Sequence, residues 1–462
     1  MNHIITVKDI IRVTNGDLII GDENSIFDSF SKNSKEIKEG DFYLGFKGEN
    51  INGSIFFEEA LNKGAKGCIV QDVEITKDHI EKYQDKVIIK VKDVVKAVQE
   101  IARLKRSLYD IPVIAVTGSV GKTSTKDIVA SVIAKKYKTL KTEGNYNNHI
   151  GLPLTILNLK DHEALVVEMG MNHFGELSVL TKIASPTVAV ITNVGTAHIG
   201  ILGSRENILK AKLEILEGLQ EGGKVIINND NDLLHEWYDQ NKYKYDIMTY
   251  GIDNESDYMA EDIVYTENGS KYVLKGEDKK ISVPVGGNHF VQNSLCAIAV
   301  GKVNGIDIDR IADGIEKFEL TKKRMDISNL PNGVTIINDC YNANFDSMKA
   351  AIEYLGKLGD RRKIAVLGDM LELGEFSKEL HEKVGEEVAK NNLDVLVTVG
   401  EEAKYIASVA EKNGMSKECI VECDSNKQAI EAIRSIMREG DSILFKASNA
   451  MHFDEIIKGV CL

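Results

Sequence analysis

The chain alternates short runs of apolar residues with stretches of helical spacing over most of its 462 residues. Between residues 112 and 318, the apolar runs have the length and β-branched content of buried strands. This alternation predicts a mostly parallel sheet with helices on both faces. Less regular runs at residues 258–275 and 280–284 predict antiparallel strands before a helix at 293–303. The predicted parallel strands are residues 113–116, 164–167, 187–192 and 223–228.

The two flanking segments have patterns of their own. In residues 320–462 the alternation returns, with strands predicted near 334–338, 363–367, 395–399 and 442–446, which indicates a second doubly wound domain. The first 108 residues are mixed, with strand-like runs at 41–46 and 68–70 and helices at 56–63 and 94–108. The sequence therefore predicts an α/β protein of three domains: a small mixed N-terminal domain at 1–108, a central parallel-sheet domain at 109–318 and a Rossmann-like C-terminal domain at 319–462.

The first central strand ends on a glycine turn that a helix follows at once, in the sequence Thr117-Gly-Ser-Val-Gly-Lys-Thr123. Backbone N–H groups of such a turn bind phosphate together with the positive end of the helix dipole. Lys122 would neutralise phosphate charge, and the hydroxyl of Thr123 would hold a magnesium ion. The alternative is an ordinary surface turn that contains Gly-Lys-Thr. The residues expected around the phosphates are Thr117, Gly118, Ser119, Val120, Gly121, Lys122 and Thr123.

Two further strands end in polar residues at the same predicted edge of the sheet. The run at 164–167 leads into Glu168, and the run at 187–192 leads into a loop that reaches His198. Because ligands gather at the carboxyl ends of parallel strands, we expect both side chains near the phosphates, with Glu168 as a ligand of the cation. The alternatives are a solvated acid at a strand end and an unligated loop histidine.

Lys212 is unusual for its position on a predicted helix. A helix with Ser204 as its N-cap and an end near residue 219 places Lys212 on the apolar stripe with Ile208 and Ile215. Burying an ammonium group is costly unless an anion pairs with it or its charge is removed. The alternative is a lysine whose stem packs while its head reaches water.

A polar loop at residues 144–153 is too rich in side-chain amides to pack as core. Its Asn145 and Asn148 suit hydrogen bonds to phosphate oxygens or to a bound carboxylate. Together these features indicate a protein that binds the phosphates of a nucleotide and uses magnesium. They are the phosphate loop, the acid, the histidine and the amide loop. The two flanking domains could bring a second substrate.

Composition narrows the class of partner. The formal charge of −14 argues against nucleic acid or an acidic membrane as the main partner. The first twelve residues lack a signal-peptide core, and no run approaches the roughly 20 apolar residues of a membrane span. We therefore expect a cytoplasmic protein without stable membrane insertion. Six cysteines are too sparse for a disulfide framework.

These residues resemble the ATP-dependent Mur ligases of peptidoglycan synthesis, and the resemblance covers nearly the whole chain. It is carried by the phosphate loop, His289, Asn293, Arg324 and His381, and by several longer stretches. Those stretches are Gly144-Asn-Tyr-Asn-Asn148, Glu168-Met-Gly-Met-Asn-His173, Ala197-His198, Lys210-Ala-Lys212, Asn338-Asp-Cys-Tyr-Asn-Ala-Asn344 and Leu367-Gly-Asp-Met-Leu-Glu-Leu-Gly374.

The resemblance implies an ATP-dependent amide ligase with ATP and Mg²⁺ as cofactors. The last two stretches favour, within the family, the enzyme that joins D-alanyl-D-alanine to UDP-N-acetylmuramoyl-tripeptide through an acyl phosphate. The first domain would then bind the UDP-sugar-peptide, the central P-loop domain ATP and the C-terminal domain the dipeptide, in a monomer. A sibling Mur ligase or a folylpolyglutamate-type ligase with another amine substrate is the near alternative. A nucleotide-gated ATPase switch that makes no bond is the distant one.

The resemblance also implies roles for single residues. Thr123, Glu168, His198 and a carbamylated Lys212 would hold the magnesium ion, while Lys122, His198, Lys212 and Arg324 would be catalytic. His289 and Asn293 match the loop near adenine, and Arg324 and Asp339 match positions near the phosphates and the ribose. The implied substrate-binding residues are Ser34, Lys35, Asn145, Asn148, Tyr341, Asn342 and Asn344. The chain departs from the family pattern at Lys35, Asn52-Gly-Ser54, Phe345 and Ala447-Ser-Asn449.

Overall fold

The computed structural model describes residues 4–266 and 269–461, which fold as three successive α/β domains. In the first domain, a five-stranded sheet has the order β2-β7-β6-β5-β4, with β2 antiparallel to β7 and the other pairs parallel. The strands of the first domain, inside and outside this sheet, are β1 (Ile5–Thr6), β2 (Asp17–Ile20), β3 (Ile26–Phe27), β4 (Phe30–Ser31), β5 (Phe42–Leu44), β6 (Gly67–Val70) and β7 (Val87–Lys90). Its helices are α1 (Val7–Thr14), α2 (Phe57–Asn62), α3 (Lys77–Lys82) and α4 (Val94–Ser107). The helices predicted at 56–63 and 94–108 are thus confirmed.

The second domain is built on a nine-stranded sheet of order β16-β15-β14-β13-β12-β11-β8-β10-β9. The pairs from β9 to β14 are parallel, and β15 and β16 continue the sheet antiparallel, as the sequence predicted. Its strands are β8 (Val113–Thr117), β9 (Thr139–Lys141), β10 (Ala164–Glu168), β11 (Val188–Ile191), β12 (Lys224–Asn228), β13 (Asp246–Gly251), β14 (Tyr258–Thr266), β15 (Gly269–Leu274) and β16 (Lys279–Val283). Its helices are α5 (Lys122–Ile133), α6 (Gly151–Leu157), α7 (Glu176–Ala184), α8 (Ile199–Leu202), α9 (Arg205–Leu213), α10 (Asp232–Asn241), α11 (Asn288–Val303) and α12 (Ile308–Glu316).

The third domain has a six-stranded sheet of order β17-β18-β22-β19-β20-β21, parallel except for β17. Its strands are β17 (Asp326–Asn329), β18 (Thr335–Asn338), β19 (Lys363–Gly368), β20 (Val395–Val399), β21 (Ile420–Cys423) and β22 (Ser442–Lys446). Its helices are α13 (Phe345–Lys357), α14 (Ser377–Lys390), α15 (Ala403–Lys412), α16 (Asn426–Ile436) and α17 (Asp454–Cys461). Short 3₁₀ helices lie at Ser34–Glu36, Gly53–Phe56, Glu214–Gly218, Gly374–Phe376, Lys417–Cys419 and Asn449–Met451.

The three-domain α/β fold predicted from the sequence is confirmed. The predicted limits after residues 108 and 318 fall between α4 and β8 and between α12 and β17, and they stay predictions of the domain boundaries. Within residues 4–266 and 269–461, every helix is too short or too polar to cross a membrane.

Two predicted helices differ from the observed ones. The helix expected to run from Ser204 to about residue 219 ends as α9 at Leu213 and continues as a 3₁₀ turn. The hydroxyl of Thr181 donates to the carbonyl of Ile215 at 2.7 Å, which diverts a carbonyl from the helix ladder. Helix α11 begins at Asn288, five residues before the predicted start, because its N-cap is Gly287, which supplies no side-chain cap as a start signal.

The chain enters the C-terminal domain through residues 317–325, which we call the hinge segment. The backbone N–H and the hydroxyl of Thr321 donate to Oδ2 of Asp127 on α5, at 3.2 and 2.8 Å. Asp127 is buried beside Lys126, whose ammonium group is 2.7 Å from Oδ1. Beyond Thr321, Lys323 pairs with Asp454 of the C-terminal domain. The hinge segment is therefore fixed to one domain at each end.

Candidate active site

The carboxyl ends of β11, β8 and β10 lie side by side in the central sheet and open into a cavity of about 450 Å³. Loops of the C-terminal domain close the cavity from the other side. Sequence-predicted residues that line it are Ser119, Val120, Gly121, Lys122, Asn148, Glu168, His198, His289, Asn293, Arg324, Asp339, Tyr341, Asn342 and Asn344.

The phosphate loop runs from β8 into the N-terminus of α5. Gly118 approaches β11 so closely that a Cβ atom would lie 1.9 Å from the hydroxyl oxygen of Thr192, so only glycine fits. Asn193 accepts hydrogen bonds from the backbone N–H groups of Ser119 and Val120 at 3.0 and 2.9 Å. The side chain of Asn193 therefore holds the turn in place.

Lys122 lies inside this turn, where its ammonium group donates to the carbonyl of Gly118 at 2.7 Å. Burial lowers the pKa of Lys122 to about 8, an effect that Glu168 opposes and Arg324 strengthens. An anion bound in the cavity would favour the charged form of this lysine. The lysine is thus placed for a phosphate group.

Glu168 is buried at the end of β10 with its two carboxylate oxygens in different surroundings. Oε1 accepts a hydrogen bond from the side-chain amide of Asn147 at 2.7 Å. Oε2 is buried and has no hydrogen-bond partner in the described part of the chain. An uncompensated carboxylate oxygen of this kind fits a cation ligand, since Mg²⁺ prefers oxygen donors.

His198 caps α8 with a left-handed backbone (φ 64°). Burial, followed by the charges of Lys122 and Lys212, lowers the pKa of His198 to about 4. The imidazole is therefore neutral at neutral pH, the form that binds metal ions. Its Nδ1 lies 3.3 Å from a carboxylate oxygen of Glu372 in the C-terminal domain.

Lys212 projects from α9 with only 1% of its surface exposed, so its head does not reach bulk water. Burial, helped by the charge of Lys122, lowers the pKa of Lys212 far below its ordinary value. Among residues 4–266 and 269–461, no hydrogen bond or ion pair reaches its amine. This burial disfavours the alternative of a lysine with a solvated head.

Arg324 brings the C-terminal side of the hinge segment to the phosphate loop. One guanidinium nitrogen donates to the hydroxyl of Thr123 at 3.3 Å, and the group stacks 3.9 Å above the ring of Tyr341. Its Nε is buried without a hydrogen-bond partner among the described residues. The neighbouring residues Lys323 and Met325 both have positive φ, 64° and 48°, so a strained turn presents the arginine.

Three residues expected at the adenosine lie at the same cavity. Asp339 accepts a hydrogen bond from the buried Lys446, whose ammonium group is 2.5 Å from Oδ2. Burial lowers the pKa of His289 to about 4, with Asp339 opposing the shift. The side-chain nitrogen of Asn293 is buried without a hydrogen-bond partner among residues 4–266 and 269–461, which leaves it available for a ligand.

Other predicted residues lie elsewhere. Ser34 is buried in the N-terminal domain, where its hydroxyl donates to Glu59 at 2.9 Å, and Lys35 beside it is exposed. Asn145 is exposed in the amide loop and does not line the cavity. Thr117, Gly118, Thr123 and Lys212 are buried or close to the phosphate loop but are not among the residues that line the cavity. The structure does not bring Ser34, Lys35 or Asn145 to the phosphate loop.

Sequence reasoning missed several residues of the site. Asn147 could have been predicted as a site residue, because it belongs to the same amide loop as Asn145 and Asn148. Asp346 of α13 accepts hydrogen bonds from the backbone N–H and the hydroxyl of Thr196, at 2.7 and 2.9 Å. Asp346 and Glu372 come from another domain, and nothing local in the sequence connects them with the His198 loop.

The chain matches three domains of one family along its length. Residues 30–106 match the description "Mur ligase family, catalytic domain", residues 116–301 "Mur ligase middle domain" and residues 323–449 "Mur ligase, glutamate ligase domain". The chain belongs to the Mur ligase family.

Within that family, several relatives have the same name. The chain is 36% identical to the UDP-N-acetylmuramoyl-tripeptide--D-alanyl-D-alanine ligase of Bacillus subtilis, over 98% of this chain and 97% of the relative. It is similar in structure to MurF from Acinetobacter baumannii, with a TM-score of 0.89, 28% identity and 99% of each chain covered. MurF of Thermotoga maritima in complex with ADP aligns with a TM-score of 0.81 and 30% identity, over 94% of this chain and 97% of that one.

Proposed function

We propose that this chain is an ATP-dependent ligase that joins D-alanyl-D-alanine to UDP-N-acetylmuramoyl-tripeptide in the synthesis of peptidoglycan precursors. One observation carries the proposal: the phosphate loop, the unpartnered oxygen of Glu168 and Arg324 from the next domain meet in one cavity. The full-length similarity to a relative named for this reaction supports the choice of substrates.

In this reaction the γ-phosphoryl group of ATP moves to the terminal carboxylate of the tripeptide and forms an acyl phosphate. The amine of D-alanyl-D-alanine then attacks the acyl carbon, loses a proton and displaces phosphate, which leaves an amide, ADP and phosphate. A carboxylate is a poor electrophile until its oxygen becomes part of a phosphate leaving group. The N–H groups of the phosphate loop, Lys122 and Arg324 would neutralise the charge that builds up on the transferred group.

The donors at the cavity fit a magnesium ion. The hydroxyl of Thr123, the free oxygen of Glu168 and the imidazole of His198 would hold it, and the ion would supply charge neutralisation at the phosphates. Lys212 is part of this proposal as a carbamate. Burial favours the neutral form of this amine, and a neutral amine can add carbon dioxide and release a proton. The product is an anion that would remove the cost of a buried, unpaired ammonium group.

The remaining site residues have roles in the same proposal. His289 and Asn293 would contact adenine, and Asp339 would contact the ribose. Asn145, Asn148, Tyr341, Asn342 and Asn344 would bind the carboxylate and amine substrates, while Ser34 and Lys35 would contact the uridine diphosphate. The first domain would bind the UDP-sugar-peptide and the third the dipeptide. We propose a monomer that acts in the cytoplasm on small-molecule substrates.

A panel of amine substrates tests the proposal. ADP release by the purified protein should require both UDP-N-acetylmuramoyl-tripeptide and D-alanyl-D-alanine, and the Lys122→Met variant should show little release with any amine. Turnover with glutamate or lysine in place of the dipeptide would identify a sibling ligase instead. Steady ATP hydrolysis that is indifferent to both cosubstrates would identify an ATPase switch.

A further inference from the structure

The loop that carries His198 is in direct contact with the C-terminal domain. Gly200, two residues further on, lies against the segment Glu372 to Gly374, and a Cβ atom on it would be 2.6 Å from the carbonyl carbon of Leu373. On the other side of His198, the side chain of Asp346 binds Thr196 through two hydrogen bonds. The C-terminal domain therefore holds the His198 loop on both sides.

Within this contact, a carboxylate oxygen of Glu372 lies 3.3 Å from Nδ1 of His198. Nδ1 is buried and has no hydrogen-bond partner within the described residues, so the carboxylate of Glu372 is within ion-pair distance but does not yet accept its hydrogen. Both residues have a left-handed backbone, with φ of 64° and 65°. Residues other than glycine rarely adopt this conformation, and it persists where the surroundings impose it. Two strained residues from different domains thus face each other.

A histidine that binds a metal through one ring nitrogen usually donates the other N–H to a carboxylate or carbonyl oxygen, which fixes its tautomer and the orientation of its ring. With the proton on Nδ1, the lone pair of His198 is on Nε2 and available to a cation. Glu372 is half-exposed, and exposed ion pairs add little to fold stability. Its contact with His198 is therefore better explained by orientation of the imidazole than by stabilisation of the fold.

We propose that Glu372 is a positioning residue for His198, so that the magnesium site is complete only when the C-terminal domain is docked on the central domain. The inference rests on the proposed function, because it concerns the cation of that reaction. It assigns the C-terminal domain a part in metal binding, in addition to binding the amine substrate. Metal binding and domain docking then favour each other, since each is tighter when the other is in place.

The role of Glu372 can be tested by measuring the affinity for Mn²⁺. Electron paramagnetic resonance detects the free ion in the presence of a saturating non-hydrolysable ATP analogue. Glu372→Ala should weaken Mn²⁺ binding by about 10-fold or more. Glu372→Gln should lose less, because its amide oxygen can still accept the Nδ1 hydrogen. The Mg²⁺ concentration needed for half-maximal velocity should rise in the same order, while the melting temperature stays that of the wild type.

Glu375→Ala is the matched control, because Glu375 is exposed in the same loop and makes no ion pair within the described residues. Its Mn²⁺ affinity should equal that of the wild type. Wild-type affinity in Glu372→Ala, or an equal loss in Glu375→Ala, would overturn the inference. A wild-type protein that binds no Mn²⁺ with the analogue would contradict the proposed function itself, which the amine panel tests separately.

Discussion

Lys122, His198 and Lys212 form a group of basic side chains whose charges disfavour one another. The pKa of each is lowered by burial first, and for His198 and Lys212 the neighbouring ammonium groups add to the effect. Such a cluster is costly in a folded protein unless anions occupy the space between its members. At the scale of single residues, the site is thus suited to anions, in agreement with the phosphate groups and the carbamate of Lys212 that we propose.

The residue with the clearest test is Lys212. Lys212→Ala should lower activity by at least about 100-fold, because a charge that orders the cation is removed. Added bicarbonate or short carboxylic acids should restore part of the activity by placing an anion in the vacated space. Lys210→Ala is the control, since Lys210 lies on the same helix and is exposed. Unchanged activity in Lys212→Ala, measured as ADP release, would exclude the carbamate.

These single residues were accessible from the sequence for a physical reason. Glu168 and His198 follow neighbouring parallel strands, and parallel strands end at one edge of a sheet. Lys212 was found because an ammonium group interrupted an apolar stripe with helical spacing. The choice between Asn145, Asn147 and Asn148 could not be made in the same way, because three amides within four positions of one loop have the same chemistry and no periodicity.

At the scale of elements, α5 connects the phosphate loop with the hinge segment. It begins at Lys122, and ten of its twelve residues are buried between the sheet and the helices α11 and α12. Burial raises the pKa of Asp127, but the ammonium groups of Lys126 and Lys141 outweigh it, so the pKa is below its ordinary value. The same carboxylate binds Thr321 in the hinge segment. A helix that binds phosphate at one end therefore fixes the path of the chain into the next domain.

Removal of this charge should destabilise the protein. Asp127→Asn leaves Lys126 buried without its partner, a change that costs about 3–5 kcal/mol. Because the pKa of Asp127 is lowered, its contribution is present above about pH 4 and is lost as the pH falls through the folded-state value. Melting temperatures of variant and wild type should differ at about pH 6, and the difference should shrink only below the ordinary pKa of aspartate, about 4.

Asp313→Asn is the control for this variant, because Asp313 pairs with Lys135 and Lys317 at a partly exposed position. Exposed pairs contribute about 0–1 kcal/mol, so its melting temperature should change little. A melting temperature of Asp127→Asn equal to that of the wild type at neutral pH would show that the buried carboxylate does not stabilise the fold.

At the scale of the whole molecule, the central and C-terminal domains meet through a few polar contacts. Arg324 reaches Thr123, Asp346 reaches Thr196 and Glu372 reaches His198. Arg324 was expected near the phosphate loop only through the family resemblance. The pairs of Asp346 and Glu372 could not be predicted, because the partners lie in different domains and more than 140 residues apart. Periodicity and capping describe neighbours along the chain, whereas these contacts depend on how one folded domain is placed against another.

Interfaces of this kind allow relative motion of the domains. We expect the radius of gyration, measured by X-ray scattering, to fall when an ATP analogue and UDP-N-acetylmuramoyl-tripeptide are added together, because both favour the docked arrangement. Asp346→Ala should reduce this fall, since it removes both hydrogen bonds to Thr196. Asp360→Ala, at an exposed loop position, should behave like the wild type. Scattering curves that do not respond to the two ligands would contradict domain closure.

The attachment of the hinge segment at both ends limits how such a motion can occur. Thr321 is bound to the central domain and Lys323 pairs with Asp454 of the C-terminal domain, so the chain passes from one attachment to the other across Lys322. We therefore expect the pivot of a swing that moves the whole C-terminal domain to lie close to Lys322. A stiffer residue there, or a small molecule wedged beside it, would stall the catalytic cycle from outside the cavity.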